Sequence, residues 1–326
     1  MLIELPDVQT LSDIYHLPRP IHVEEVAEGL HLIHTPEGDF SLNIYQDNDA
    51  LDQQRYLHWL VMALSQYDLS FTLPYPVRDH QGATIHRSGT GHSWVLAPQL
   101  SGQSIQPNDP DHAYATGLAL ADLHRALARI QPLLRPGHTD YTIDARTLPN
   151  LRRVLPQSPA EIGLNDTPEG RHRVQRFVLL AERFWQPPPP PDGHINWHIV
   201  HGDFFGANLR YDGTLVTGVM DFSAAHPDYR AREVAEVLMR VADDLGSLFW
   251  GTARAFVEGY SEILKLTAAE IELIPRFVVE SQVDRVLFET GRKAADALRA
   301  QEDISAWLEG ESARLQAMMR GVFLGE

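Results

Sequence analysis

The sequence predicts an α+β fold, with extended runs gathered toward the N-terminus and helical stripes after them. Short β-prone runs separated by turn residues crowd the first hundred positions, whereas Leu and Val stripes at helical spacing dominate the remainder. A length of 326 residues with 44% hydrophobic content suits about two compact bodies.

In chain order, residues 26–34 read as a hairpin whose only glycine is Gly29, and the turn Glu37-Gly38-Asp39 leads into an extended run over residues 40–45. Leu57, Leu60, Val61 and Leu64 mark the helix that follows. Residues 94–100 form another extended run, and Ser101-Gly102 allows a turn after it. Asp109 as N-cap and Pro110 at the first helical position start a helix carrying Leu120, Leu123, Leu127 and Ile130 on one face. Residues 134–191 read as helical pieces broken by polar turns, ending in the run Pro187 to Pro191, an extended spacer. Val234, Val237, Leu238 and Val241 share a helix face after residue 225. Thr267-Ala268-Ala269-Glu270 is a capping box that opens a further helix, and residues 314–324, with Leu315, Met318 and Val322, close the chain in another.

The stretch that carries chemistry is His201-Gly202-Asp203-Phe204-Phe205-Gly206-Ala207-Asn208, followed thirteen positions after Asn208 by Asp221. Trp197, Ile199 and Val200 form a short strand that delivers His201 and Asp203 into a Gly-containing loop. A second strand starts at Leu209, Asp212-Gly213 makes a tight turn, and residues 215–220 return with β-branched Thr217 and Val219. Asn208 thus enters a hairpin where Asp221 leaves it. Two oxygen donors at the open end of one hairpin suit a hard divalent cation, and Asp203 is free to orient an attacking hydroxyl. These are the parts of a phosphoryl-transfer site.

With these residues the chain resembles the aminoglycoside phosphotransferase and choline kinase superfamily, including type II homoserine kinase-like proteins. Its motif there reads His-Gly-Asp-x-x-x-x-Asn followed by an Ile-Asp-Phe or Ile-Asp-Trp run, against Val-Met-Asp-Phe here. The resemblance implies a protein-kinase-like two-lobed α+β fold, a small antiparallel-sheet N-terminal lobe over residues 1–98 and a larger, mostly helical lobe over residues 99–326, with Asp203 as catalytic base, His201 organising the catalytic loop, and Asn208 and Asp221 as magnesium ligands. Asp122-Leu123-His124 is similar to the family's helix before the catalytic loop, and residues 94–102 are similar to its interlobe linker, which puts Ala97 and Gln99 beside adenine. Residues 133–193 correspond to its variable helical insertion, which shapes the acceptor pocket. Where the family shows Asp-Leu-Ala, with the Asp bracing the catalytic loop, this chain has Glu233-Val234-Ala235, and Glu233 is open to two readings, a brace with altered reach or an N-terminal helix acid set against the dipole.

The small lobe departs from the pattern. Such a lobe places a Gly-rich hairpin over the phosphates, a strand Lys on the nucleotide and a helix Glu against that Lys. Here Gly29 stands alone in the hairpin, Asn43 occupies the Lys position, and Gln53 and Gln54 occupy that of the Glu. No Lys precedes Lys265, so no shift of alignment restores it. Losing both charges together is the tolerable route, since an unpaired buried charge is costly.

Composition narrows the partners. A formal charge of −17 argues against nucleic acid, which calls for basic stripes. Zero cysteines exclude disulfides and Cys-based zinc or nucleophile sites, and residues 1–6 carry neither a secretory signal nor a membrane-spanning run, which points to the cytoplasm. His194, His198 and His201 have helical metal-ligand spacing, but the β-rich context of Trp197 to Val200 argues against a helix there.

The resulting expectation is a monomeric or homodimeric enzyme that uses Mg2+ and ATP or GTP to phosphorylate a hydroxyl of a small molecule such as an amino alcohol, homoserine, a sugar or an aminoglycoside. Gly29, Asn43, Ala97, Gln99, Asn208 and Asp221 would hold the nucleotide and metal. The competing class is a catalytically impaired binding or regulatory protein on the same fold, motivated by Asn43, Gln53 and Gln54.

Overall fold

The computed structural model describes residues 8–19, 22–45, 48–89, 91–105, 109–131, 155–184, 194–241, 250–288 and 310–326. They divide into two compact units, one taking in the chain up to Ile105 together with Ala207–Ala224, the other the remaining described residues.

The first unit begins with α1 (Val8–Tyr15), β1 (His22–Ala27), β2 (Leu30–Thr35), β3 (Gly38–Tyr45), α2 (Asn48–Leu64), β4 (His86–Arg87) and β5 (Ser93–Pro98). The strands form one antiparallel sheet in the order β1-β2-β3-β5-β4. Strand alternation explains its core: Ile33, Leu42, Ile44, Trp94 and Leu96 pack with Leu11, Ile14 and Tyr15 of α1. Each fully buried side chain of this kind contributes roughly 1.5–3 kcal/mol. Ser41, Asn43 and Tyr45 alternate with these core residues and lie half-buried on the other face. Gly29, at φ 75°, completes the tight turn between β1 and β2.

Also in this unit is the hairpin after the catalytic motif. Its strands, β7 (Leu209–Asp212) and β8 (Leu215–Val219), end within a residue of the expected bounds. Thr72 clasps one side, donating its N–H to Thr217 O at 2.9 Å and accepting that of Val219 at 3.1 Å. Gln103 and Tyr211 exchange backbone hydrogen bonds of 2.8 and 2.9 Å on the other. Gly102 is obligatory at this crossing, because it holds φ 112° and a Cβ would lie 2.8 Å from Tyr211 O.

The second unit contains α3 (Pro110–Leu127), α4 (Pro168–Phe184), β6 (Trp197–Val200), β9 (His226–Tyr229), α5 (Arg230–Val241), α6 (Trp250–Ser261), α7 (Ala268–Phe288) and α8, residues 310–324. Asp109 caps α3 as expected, accepting the N–H groups of Asp111 and His112 at 3.0 and 3.1 Å. The capping box of α7 is reciprocal: Thr267 Oγ1 accepts from Glu270 N at 3.1 Å, and Glu270 Oε2 from Thr267 N at 2.8 Å. Helices α3 and α6 touch backbone to backbone, since a Cβ on Gly117 would lie 2.0 Å from Phe256 O and one on Gly259 2.0 Å from Tyr114 O. Strand β9 pairs antiparallel with β6, and α5 starts directly after it. The Pro187 to Pro191 spacer lies outside the described residues, as does much of the 134–191 segment. Among the described residues, no helix is long and apolar enough to cross a membrane.

Candidate active site

In the second unit the expected catalytic loop leaves β6 as a tight turn. Gly202 at φ 81° and Gly206 at φ 53° take the left-handed conformations that reverse the chain. His201 is fully buried; its Nδ1 accepts the Asp203 N–H at 3.3 Å, and its ring meets Phe204 edge-on at 5.6 Å. It is positioned to shape the loop. The turn closes with the Phe205 N–H on Asp203 O at 2.9 Å.

Glu233 in α5 holds the loop from beneath. Its Oε2 accepts the His201 N–H at 3.0 Å and its Oε1 the Gly202 N–H at 2.6 Å. His124 of α3 bridges onward, with Nε2 2.7 Å from Glu233 Oε2 and Nδ1 2.9 Å from the Tyr260 hydroxyl. Burial pushes the Glu233 carboxyl up, but the His124 hydrogen bond and charge, nearby His201 and the Gly202 amide outweigh it and hold the group down at about 2. Beside this cluster, burial above all drives His198 down to about 4, and neighbouring His124 adds to it. Glu233 thus performs the bracing expected at its position. His198 lies within β6, so the helical ligand spacing of His194, His198 and His201 is not realised.

Asp203 itself has a partner that sequence reasoning missed. Arg240, at the far end of α5, donates from Nη1 to Asp203 Oδ1 at 2.8 Å and from Nη2 to Glu236 Oε1 at 3.0 Å. Its Cζ stands 5.7 Å from the centre of the Phe205 ring. Burial raises the Glu236 carboxyl, opposed by the charge of Arg240. A signal was available: Glu233, Glu236 and Arg240, spaced by three and four, form a polar stripe on a helix whose apolar residues fill the core.

In the first unit Asn208 and Asp221 close the hairpin, where Met220 donates its N–H to Asn208 O at 2.9 Å. Asp221 is held at φ 58°, a conformation that costs a non-glycine residue energy and recurs at functional sites. The Ser223 N–H reaches Asp221 Oδ1 at 3.1 Å. A carboxylate and a side-chain amide are hard oxygen donors, which is what magnesium or calcium takes. Among the described residues no group of three or more His, Cys, Asp or Glu forms a metal cluster.

The expected nucleotide residues of the small sheet are adjacent. Asn43 pairs with Leu30, next to Gly29, on one side and with Val95 on the other; Ala97 pairs with Ser41. Gln99 follows β5, its N–H on Asp39 O at 2.8 Å. Gln53 Nε2 lies 3.5 Å from Ser223 O, just after Asp221. Tyr45, two residues beyond Asn43, was also missed: burial first, then the charge of Asp221, pushes its phenol up to about 12, which puts it in electrostatic reach of that carboxylate.

Comparison with known proteins identifies the family. Residues 24–266 match the model of the phosphotransferase enzyme family. The chain is 27% identical over 260 residues to a homoserine kinase of Rhizobium meliloti, covering 77% of this chain and 73% of the relative. It is 28% identical over 268 residues to one of Methylorubrum populi, covering 80% and 77%. Among solved structures, an aminoglycoside phosphotransferase from Alicyclobacillus acidocaldarius superposes with a TM-score of 0.64 at 16% identity, covering 97% of this chain and 98% of that one. A microcompartment-associated aminopropanol kinase gives 0.63 at 17%, covering 94% and 97%. The amicoumacin kinase hAmiN, solved with AMP-PNP, Ca2+ and its ligand, gives 0.63 at 15%, covering 91% and 92%. The fold is protein-kinase-like, and the chain belongs to the phosphotransferase enzyme family, a family of small-molecule kinases.

Proposed function

We propose that the protein transfers the γ-phosphoryl group of ATP to a hydroxyl of a small amino alcohol or hydroxy amino acid, with magnesium as the metal. The observation that carries this reading is the Glu233-braced turn presenting Asp203 five residues before Asn208. Asp203 accepts the acceptor's hydroxyl proton as its oxygen bonds to the γ-phosphorus and the bond to the β-phosphate oxygen breaks, releasing ADP. Asn208 and Asp221 would hold the divalent ion, which supplies charge neutralisation on the phosphates when bound. The sheet face with half-buried Asn43 and Ala97 and buried Val95, near Gly29, takes the base and sugar in this reading, and Gln99 flanks it. The reaction needs a compartment supplied with ATP, the cytoplasm.

Asp203→Asn tests the assignment. Its turnover should fall by about a thousandfold or more, as for loss of a general base with its proton-accepting capacity. The magnesium-dependent rise in melting temperature with ATP should persist, because nucleotide binding does not use that carboxylate. Undiminished turnover in the variant removes Asp203 from the mechanism.

A second reading, nucleotide binding without turnover, is favoured by one observation: the charged Lys–Glu pair of the small lobe is replaced by the neutral amides of Asn43 and Gln53 or Gln54. An ATP-dependent melting shift with no ADP release across the acceptor classes would select it.

A further inference from the structure

Resting on the phosphotransfer reading above, we infer that Arg240 is a specificity-determining residue that binds an anionic group of the acceptor, a carboxylate set a few bonds from the hydroxyl that is phosphorylated. The guanidinium touches the carboxylate that this hydroxyl must approach, through the 2.8 Å bond from Nη1 to Asp203 Oδ1. Whatever else the acceptor carries is therefore delivered to within reach of Arg240.

The side chain is built for contact. Arg230 and Arg232, on the same helix, are each 9% exposed and engage the buried carboxylates of Glu270 and Glu280. Arg240 is 37% exposed, as its partner Asp203 is 43% exposed. Asp203 and Glu236 take hydrogen bonds from Nη1 and Nη2, and a guanidinium has five N–H donors in a rigid fork, so donors remain for a ligand. Glu236 and the Phe205 ring fix the plane of the fork, which reduces the ordering cost of a bidentate carboxylate.

The overall charge of −17 does not oppose this. Charges beyond a Debye length of about 8 Å are largely screened, and within that range Asp203 and Glu236 offset the charge of Arg240, so the preference for a carboxylate rests on the remaining N–H donors of the fork and their planar geometry. The inference narrows the acceptor from any small alcohol to hydroxy acids and hydroxy amino acids.

The test compares acceptors that differ only by the carboxylate: L-homoserine with 3-aminopropan-1-ol, L-serine with ethanolamine, and 4-hydroxybutyrate with propan-1-ol. The full chain is assayed with ATP and magnesium, as wild type, Arg240→Lys and Arg240→Met. Wild type should favour the carboxylate member of a pair, and Arg240→Met should lower kcat/KM on that member by about 100-fold, mainly through KM. The loss on the decarboxylated member should be about tenfold smaller, and Arg240→Lys should fall between. Equal losses on both members, or a wild-type preference for the decarboxylated ones, overturns the role of Arg240 and leaves the kinase reading in place. ATP binding without turnover of any carboxylate acceptor also counts against it. Absence of both turnover and an ATP melting shift instead removes the phosphotransfer reading itself. If Arg240→Met melts below the assay temperature, the wild-type preference and Arg240→Lys decide the matter.

Discussion

Glu233 meets three donors with two oxygens, the His201 and Gly202 amides and the His124 imidazole. A glutamine there keeps one oxygen and turns an NH2 toward at least one donor, leaving a buried group unsatisfied. Glu233→Gln should therefore lower stability by roughly 2–4 kcal/mol, read by thermal unfolding, and should depress kcat by loosening the turn that carries Asp203. Glu233→Asp should recover part of both, because the charge is kept and only reach is lost. Stability and kcat unchanged in Glu233→Gln would show that the loop holds itself.

The same logic extends to whole elements. Helices α3 and α6 meet at Gly117 and Gly259, where the backbones leave no volume for a methyl group. Gly117→Ala should separate the pair and cost about 2–3 kcal/mol despite alanine's better helix propensity, a sign that chemical denaturation can check. Elements with local signatures were legible in the sequence: the capping box of α7, the Asp109-Pro110 start of α3, and the Asp212-Gly213 turn of the hairpin each put the deciding chemistry within a few residues. Strand β9 was not, because His226-Pro227-Asp228-Tyr229 has a proline and poor β propensity and is extended only by its pairing with β6. Helix α1 was missed for a related reason, since eight residues make a helix only when Leu11, Ile14 and Tyr15 have a sheet to pack on. Within the site, the motif spacing pointed to Asp203, Asn208 and Asp221, but the ion pair of Asp203 with Arg240 spans 37 positions and no local pattern encodes it.

At the scale of the whole molecule, stability should fall in acid in two stages. His198 is held at about 4 against an ordinary 6.5, so the unfolded chain takes its proton first; the stability it contributes is full above pH 6.5 and is lost as pH falls toward 4. Glu233, at about 2 against an ordinary 4.5, contributes above pH 4.5 and is lost as pH falls toward 2. The His198 share of the first stage amounts to roughly 3 kcal/mol when complete. Melting temperatures measured from pH 8 to pH 4 should stay level to about 6.5 and then decline, and His198→Gln should shrink that decline, leaving the part carried by His58, which burial also holds down at about 4. A different tension arises at Asp221, whose left-handed backbone suits glycine better than aspartate. Heat-resistance screening would reward glycine there while discarding the carboxylate that the proposed chemistry relies on, so directed evolution of this enzyme has to select on turnover and tolerance together.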